Sequence, residues 1–368
     1  MIAVANNQTT EALDPVVRLE RAVRPLAREL DRKAAGTLVE IYYRWQEHRI
    51  ALSNQLRAQL EQDRPREVID HFATQVSQLE RQMVGVLGEW ARSRPEGAWA
   101  QAQKGIGPVL SAGLGAHIDI HRAQTAGAIW RFAGLDPTLK WLGREGARKL
   151  LSHVVDDNPN DDWQQVEDEL PDDYALSEQD VALLDERLTE DRRGQLSRDQ
   201  LVLVARLTNR KLGNLIRLGS DEDGRITRAS MLSLLAKRPW NADLKVLCWR
   251  AGDSFVKVSG RDDAFYGQVY RERKELEVER NKAGLFVDQA KESLATRNIK
   301  DKKLKATYEA GFLPAGRIDL RARRYAVKLF LAHYHEVAFR AEFGKEPPLP
   351  YPIAYLGHVH KIDPPPAA

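Results

Sequence analysis

The chain has 368 residues, a formal net charge of +3 and a single cysteine, Cys248, a length that allows two domains or one large one. One cysteine excludes a disulfide framework or a cysteine-based zinc site within one chain and fits a reducing, cytoplasmic setting. No apolar run approaches the ~20 residues of a membrane span, so no membrane partner is expected.

Residues 1–15 are polar and read as disordered. Met1 to Asn7 offers no basic region followed by an apolar core, so no secretory signal is expected there. From 16 to 100 the pattern is helical. Leu19, Val23, Leu26 and Leu30 fall three or four apart, Leu38, Ile41, Trp45, Leu52 and Leu56 follow with helical spacing, and after Arg64-Pro65 a second series runs through Ile69, Phe72, Val76, Leu79, Met83, Val86 and Trp90. Such stripes predict amphipathic helices, either a bundle with a solvated charged face or a coiled-coil arm that pairs two copies of the chain. Ser93-Arg94-Pro95-Glu96-Gly97 breaks the pattern.

The segment 101–150 opens on Lys104-Gly105-Ile106-Gly107-Pro108. Proline suits the first helical position because its missing N–H would have had no partner. The two glycines let the backbone take positive φ or approach another backbone closely. The free N–H groups of such a turn, at a helix N-terminus, can hold a phosphate oxygen. Val109, Leu110 and Leu114 then give the helix an apolar stripe. This is the pattern of a helix-hairpin-helix, which grips nucleic-acid backbone without reading sequence. A tight interhelical turn packed in a core is the alternative. Lys104, Gly105, Ile106, Gly107 and Ser111 are the candidate phosphate contacts. Further on, Thr125 is a good N-cap and Gly134 a natural helix stop.

Residues 151–236 read as an acidic linker and a helical insert. Between Lys149 and Arg187 there is no Lys or Arg. Leu201, Val204, Leu207 and Leu212 form one stripe of the insert. Ser220 to Thr227 resembles the middle of a calcium-binding loop, but Gly219 and Ser230 stand where outer ligands belong, so a solvated turn is expected.

The segment 237–345 is basic. Arg317, Arg321, Arg324 and Lys328 share one helical face and form the second candidate phosphate surface. The Pro-rich tail is 346–368. His333 and His335, with His358 and His360, make two His-x-His pairs with the chemistry to hold zinc or another divalent metal. On a helix, however, His333 and His335 point about 200° apart. No Walker loop, no Gly-x-Gly-x-x-Gly after a strand and no His-Glu-x-x-His is present, so nucleotide hydrolysis and metalloprotease chemistry have no support.

Residues 104–137 resemble the C-terminal domain of the insertion-sequence-110 family of transposases. The matching text is Gly105-Ile106-Gly107-Pro108, the small-residue helix after it, and Ala133-Gly134-Leu135-Asp136-Pro137. Lys237-Arg238-Pro239-Trp240-Asn241-Ala242-Asp243-Leu244-Lys245 looks like the family's following basic block. The resemblance covers about a third of the chain and implies DNA binding in transposition or recombination. The family's RuvC-like domain has no counterpart in the helical first hundred residues. Its nucleophilic serine has none in Thr138-Leu139-Lys140-Trp141-Leu142-Gly143-Arg144. No catalytic residue is therefore assigned, and catalysis would fall to a partner protein. The expectation is an all-α chain that binds DNA, a junction or structured RNA. Two alternatives stand beside it: a metal-dependent nuclease or recombinase using the His pairs, and a structural protein of phage origin.

Overall fold

The computed structural model describes residues 23, 25–60, 67–156, 158–171, 176–188, 194–349 and 361–366. Among them are sixteen α-helices and no strand; one isolated bridge joins Gln195 to Thr227. The fold is all-α. In chain order the helices are α1 (Arg32–Leu60), α2 (Glu67–Arg92), α3 (Pro95–Ala102), α4 (Pro108–His117), α5 (Ala126–Phe132) and α6 (Gly143–Val155). Then follow α7 (Asp161–Asp168), α8 (Glu178–Arg187), α9 (Arg198–Thr208), α10 (Leu212–Gly219) and α11 (Arg228–Ala236). The last five are α12 (Ala242–Lys257), α13 (Phe265–Lys282), α14 (Val287–Thr296), α15 (Lys302–Glu309) and α16 (Ala315–Phe343). None of the described helices is long and apolar enough to cross a membrane.

The chain divides into two compact units, Met1–Trp130 with Val246–Ala368, and Arg131–Lys245. In the first, α1 and α2 pair, with Leu38, Met83 and Val86 of the apolar series against the core, whereas Leu26 and Phe72 are exposed. Ala35, Val39, Leu87 and Trp90 are buried with Val109 and Ala112 of α4. The Trp90 indole N–H donates to Leu30 O at 2.9 Å, which fixes the entry of α1. A second, aromatic core gathers helices distant in sequence. Trp99 of α3 stacks on Phe330 of α16 with ring centroids 5.7 Å apart, and Phe255 of α12 stacks on Tyr266 of α13 at 5.1 Å. The long α16 starts after Pro314 and stops at Gly344, whose φ of +63° closes the last turn by donating to Arg340 O.

The second unit has its own core, with Leu150, Leu151, Leu201, Val204, Leu215 and Met231 fully enclosed. Two capping boxes start its helices, Ser197 with Gln200 and Thr227 with Ser230. The unit begins at Arg131 rather than at the expected 151. The physical reason is that α6 contributes Ala147, Leu150 and Leu151 to this core.

Candidate nucleic-acid interface

In the first unit α3 and α4 are joined by the turn 103–107, a tight helical hairpin. Its turn is set by Gly105, with φ +98°, a value that L side chains avoid. A Cβ there would meet Ser254 Oγ at 3.2 Å and Phe255 Cδ1 at 3.4 Å. Gly105 O accepts the Ser254 hydroxyl at 2.5 Å, so the turn is fastened to α12. Ile106, 4% exposed, is the apolar pin of the turn. Gly107 caps α4 in extended geometry, and a Cβ on it would meet nothing within 4 Å. Pro108 occupies the first helical position, as the sequence required. The first amides of α4 have no intrahelical acceptor, and the open side at Gly107 gives an anion access to them.

Lys104 is exposed beside this opening. Its ammonium lies 3.5 Å from Asp263 Oδ2, on the turn between α12 and α13. Arg261 holds the same carboxylate with both ends of its guanidinium, at 2.9 and 3.1 Å. These contacts, the Arg261 hydrogen bond first, lower the Asp263 pKa to about 2. Lys257, also exposed, pairs with Asp253 at 2.7 Å. The hairpin thus carries Lys104 and Arg261 together, both partly neutralised by one aspartate. From the sequence, Ser254 reads as a helix-end hydroxyl, and nothing in it places Ser254, Arg261 or Asp263 at the hairpin. They sit ~150 residues from the hairpin in sequence, and only the docking of α12 brings them there.

Ser111 does not join the site, contrary to expectation. It is wholly buried, and its hydroxyl donates to Gly97 O at 2.8 Å, which ties α4 to α3. The second candidate surface is also divided. Arg321 is a structural residue: its Nε meets Glu277 Oε2 at 2.6 Å, its Nη1 donates to Gln289, and its guanidinium lies over the Phe286 ring. Glu277, 0% exposed, also takes Arg273 at 2.5 Å. Burial alone would raise the Glu277 carboxyl, but Arg321 and Arg273 outweigh it and hold it below the usual range. Lys328 sits over the Trp130 ring, 4.9 Å from its centroid. Arg317 and Arg324 face no carboxylate within salt-bridge distance among the described residues. Partial desolvation, with Arg317 and Arg321 nearby, lowers the Arg324 pKa.

The His pairs part company. His333 Nε2 faces Ile362 O at 2.8 Å, and Nδ1 faces the Tyr266 hydroxyl at 2.8 Å. A carbonyl can only accept, so Nε2 carries the proton and Nδ1 accepts from Tyr266. His335 Nε2 donates to Ala123 O at 2.9 Å. The two rings therefore serve different elements and are not brought together for one metal. His358 and His360 lie outside the described residues. Among those described, no group of three or more His, Cys, Asp or Glu converges as a metal site.

Within the second unit, two blocks of the transposase resemblance meet. The Asn241 N–H donates to Phe132 O at 2.8 Å. Gly134 turns at φ +65° directly against Trp240, where a Cβ would fall 2.7 Å from Cγ of the indole. Lys245 lies over the same indole, 3.9 Å from the ring centroid. The Thr138 hydroxyl donates to Asp136 Oδ1 at 2.7 Å, and the Thr138 N–H to the same oxygen. In the acidic turn, Asp221 accepts the N–H groups of Asp223 and Arg225, so its carboxylate closes the loop itself. Compared with protein-family models, curated proteins and solved structures, the chain gives no match in any of the three.

Proposed function

We propose that this chain binds the phosphate backbone of DNA in transposition or recombination, through the hairpin between α3 and α4. The observation that carries the reading is the construction of that hairpin. Gly105 takes left-handed backbone, Gly107 opens the end of α4, and Lys104 flanks it in solvent. Oriented amides and one cation recognise a phosphate oxygen without reading bases. The pairing of the Gly134 turn with Trp240 and Asn241 supports the transposase-like reading, because it joins two resembling blocks across the intervening helices. Strand chemistry is assigned to a partner protein.

The test is a salt titration of binding to labelled duplex, four-way junction, single strand and structured RNA. The natural chain is compared with Gly107→Glu. Glutamate there has room and a permitted backbone, so the variant stays folded, while its charge faces the phosphate. At ~4 Å a repulsion of ~1 kcal/mol in water, rising to ~4 kcal/mol near a protein surface, weakens binding by about fivefold to several hundredfold. Salt-independent binding, or a folded Gly107→Glu that binds as the natural chain does, overturns the proposal.

A further inference from the structure

The end of the chain is bound as a ligand would be. Residues 361–366, Lys361-Ile362-Asp363-Pro364-Pro365-Pro366, lie on α3 and α16 of the first unit. Three successive prolines hold this segment extended, with every carbonyl unpaired within the segment. The helices answer these carbonyls with three donors. His333 Nε2 donates to Ile362 O at 2.8 Å, the Trp99 indole to Pro365 O at 2.8 Å, and Gln103 Nε2 to Pro366 O at 3.4 Å. Glu336 supplies one carboxylate, which takes Lys361 at 2.8 Å. The donors and the carboxylate are set in the core: Trp99 is 4% exposed, Gln103 6%, His333 2% and Glu336 5%.

That complementarity is chemical as well as geometric. Prolines have no N–H to satisfy, and the groups of Trp99 and Gln103 that meet the segment are donors. Trp99 is braced from behind by Phe330 and edge-on by Tyr266, so its N–H is aimed without rotamer freedom. The Tyr266 hydroxyl in turn fixes the His333 tautomer through Nδ1. If the segment left, the Trp99 and His333 donors would lose their protein acceptors, while Gln103 Nε2 would keep Trp99 O at 3.1 Å. A slot in this state needs an occupant of the same kind. Aromatic-lined grooves recognise proline-rich strands by this physics, since the strand is stiff before it binds.

We infer that the slot formed by Trp99, Gln103, His333 and Glu336 is a docking site for a proline-rich peptide. The segment it recognises carries a basic residue three positions before its first proline. The chain's own residues 361–366 fill the site in cis, and a partner protein bearing such a segment competes for it. This stands independently of nucleic-acid binding.

The experiment uses the full chain with Pro364→Gly, Pro365→Gly and Pro366→Gly, which removes the stiffness of the resident segment. A fluorescein-labelled peptide, Lys-Ile-Asp-Pro-Pro-Pro-Ala-Ala, is titrated and followed by anisotropy. The expected result is saturable binding to the triple variant and at least tenfold weaker binding to the natural chain, where the tail competes at an effective concentration near ~1 mM. Trp99→Phe in the triple-variant background lowers affinity about fivefold, the scale of one hydrogen bond. A peptide with glycines for its prolines does not bind. The Trp99 indole N–H resonance, which moves only when that indole changes partner, shifts with the natural peptide. A folded triple variant that binds no peptide overturns the inference, as does peptide binding that leaves the Trp99 resonance in place. Tail exchange between two copies of the natural chain, seen as a dimer lost in the triple variant, would replace the partner protein by a second copy and overturn that part of the assignment.

Discussion

Gly105 and Gly107 stand two residues apart in one turn, and alanine at each has opposite consequences. At Gly105 the new residue inherits φ +98°, which costs an L-residue ~1–2 kcal/mol. Its Cβ also lies 3.2 Å from Ser254 Oγ and 3.4 Å from both Phe255 and Val258. Phe255 is 0% exposed and stacked on Tyr266, so it has nowhere to retreat. The hydroxyl is the group that moves, with loss of the Ser254 bond to Gly105 O, about 1 kcal/mol net. The sum is ~2–3 kcal/mol, which lowers Tm of a unit of this size by ~4–12 °C. At Gly107 the backbone is ordinary and the Cβ meets nothing. Only the helix-cap preference is lost, less than ~1 kcal/mol. Thermal melts followed by circular dichroism compare the two variants with the natural chain. Equal losses at the two positions, or no loss at Gly105→Ala, would refute the reasoning, because the turn would then not need left-handed backbone at Gly105.

Further outcomes follow from the charges. Asp263→Asn releases Lys104 and Arg261 from the carboxylate they share, so DNA binding tightens by about twofold to fivefold and its salt dependence steepens; unchanged binding removes these two cations from the interface. Charge reversal at Arg317 and Arg324 lowers the salt slope by ~1.8, the value for two phosphate contacts, whereas Arg321→Glu costs ~3–5 kcal/mol in stability because Glu277 is left buried without its main partner; a melt and a titration on each variant separate the two roles. His333 and His335 both titrate below the usual histidine value because burial penalises the charged ring. The unfolded chain then binds more protons than the folded one as pH falls below ~6.5, so stability declines from pH 7 towards pH 5 and levels off below the folded pKa values; a Tm that rises over this window contradicts that placement. On the arm, Phe72 and Val68 remain 56% and 70% exposed, and a homodimer through α1 and α2 would cover them; light scattering should report a dimer that Phe72→Glu dissociates, and a monomeric natural chain removes the pairing.

The parts of the fold written in local pattern were legible. Apolar spacing gave α1 and α2, Thr125 and Gly134 bracketed α5, and Pro108 marked the start of α4. These depend on neighbours three or four residues away. What the sequence hid depends on partners far along the chain. Ser111 follows the hairpin at helical spacing and looks like a phosphate contact, yet it faces Gly97 across the helix pair. Arg321 shares a face with Arg317 and Arg324, yet Glu277, forty-four residues earlier, draws it inward. A charged stripe read from spacing cannot tell a solvated arginine from one that neutralises a buried carboxylate. The tail was read only as rich in proline; that it fills a slot lined by Trp99 and His333 needs the fold of α3 against α16.

Binding without resident chemistry is the reading that asks least of these side chains. For a metal to take His333, the ring must give up Tyr266 on one nitrogen or Ile362 on the other, leaving a buried donor or acceptor at ~1–3 kcal/mol. His335 would still point at Ala123 O, on the opposite side of α16. A nucleophilic Thr138 would have to abandon the bond that its hydroxyl makes to Asp136, in a turn that this bond closes. The hairpin asks for no such sacrifice. Gly107 is open, the first amides of α4 lack intrahelical partners by the geometry of any helix, and Lys104 needs only to exchange one exposed carboxylate for a phosphate. An exposed pair of that kind is worth ~0–1 kcal/mol, less than a phosphate contact returns through counterion release at low salt. The same comparison explains why Arg321 is not available for DNA: its carboxylate is buried, and the exchange there would run uphill.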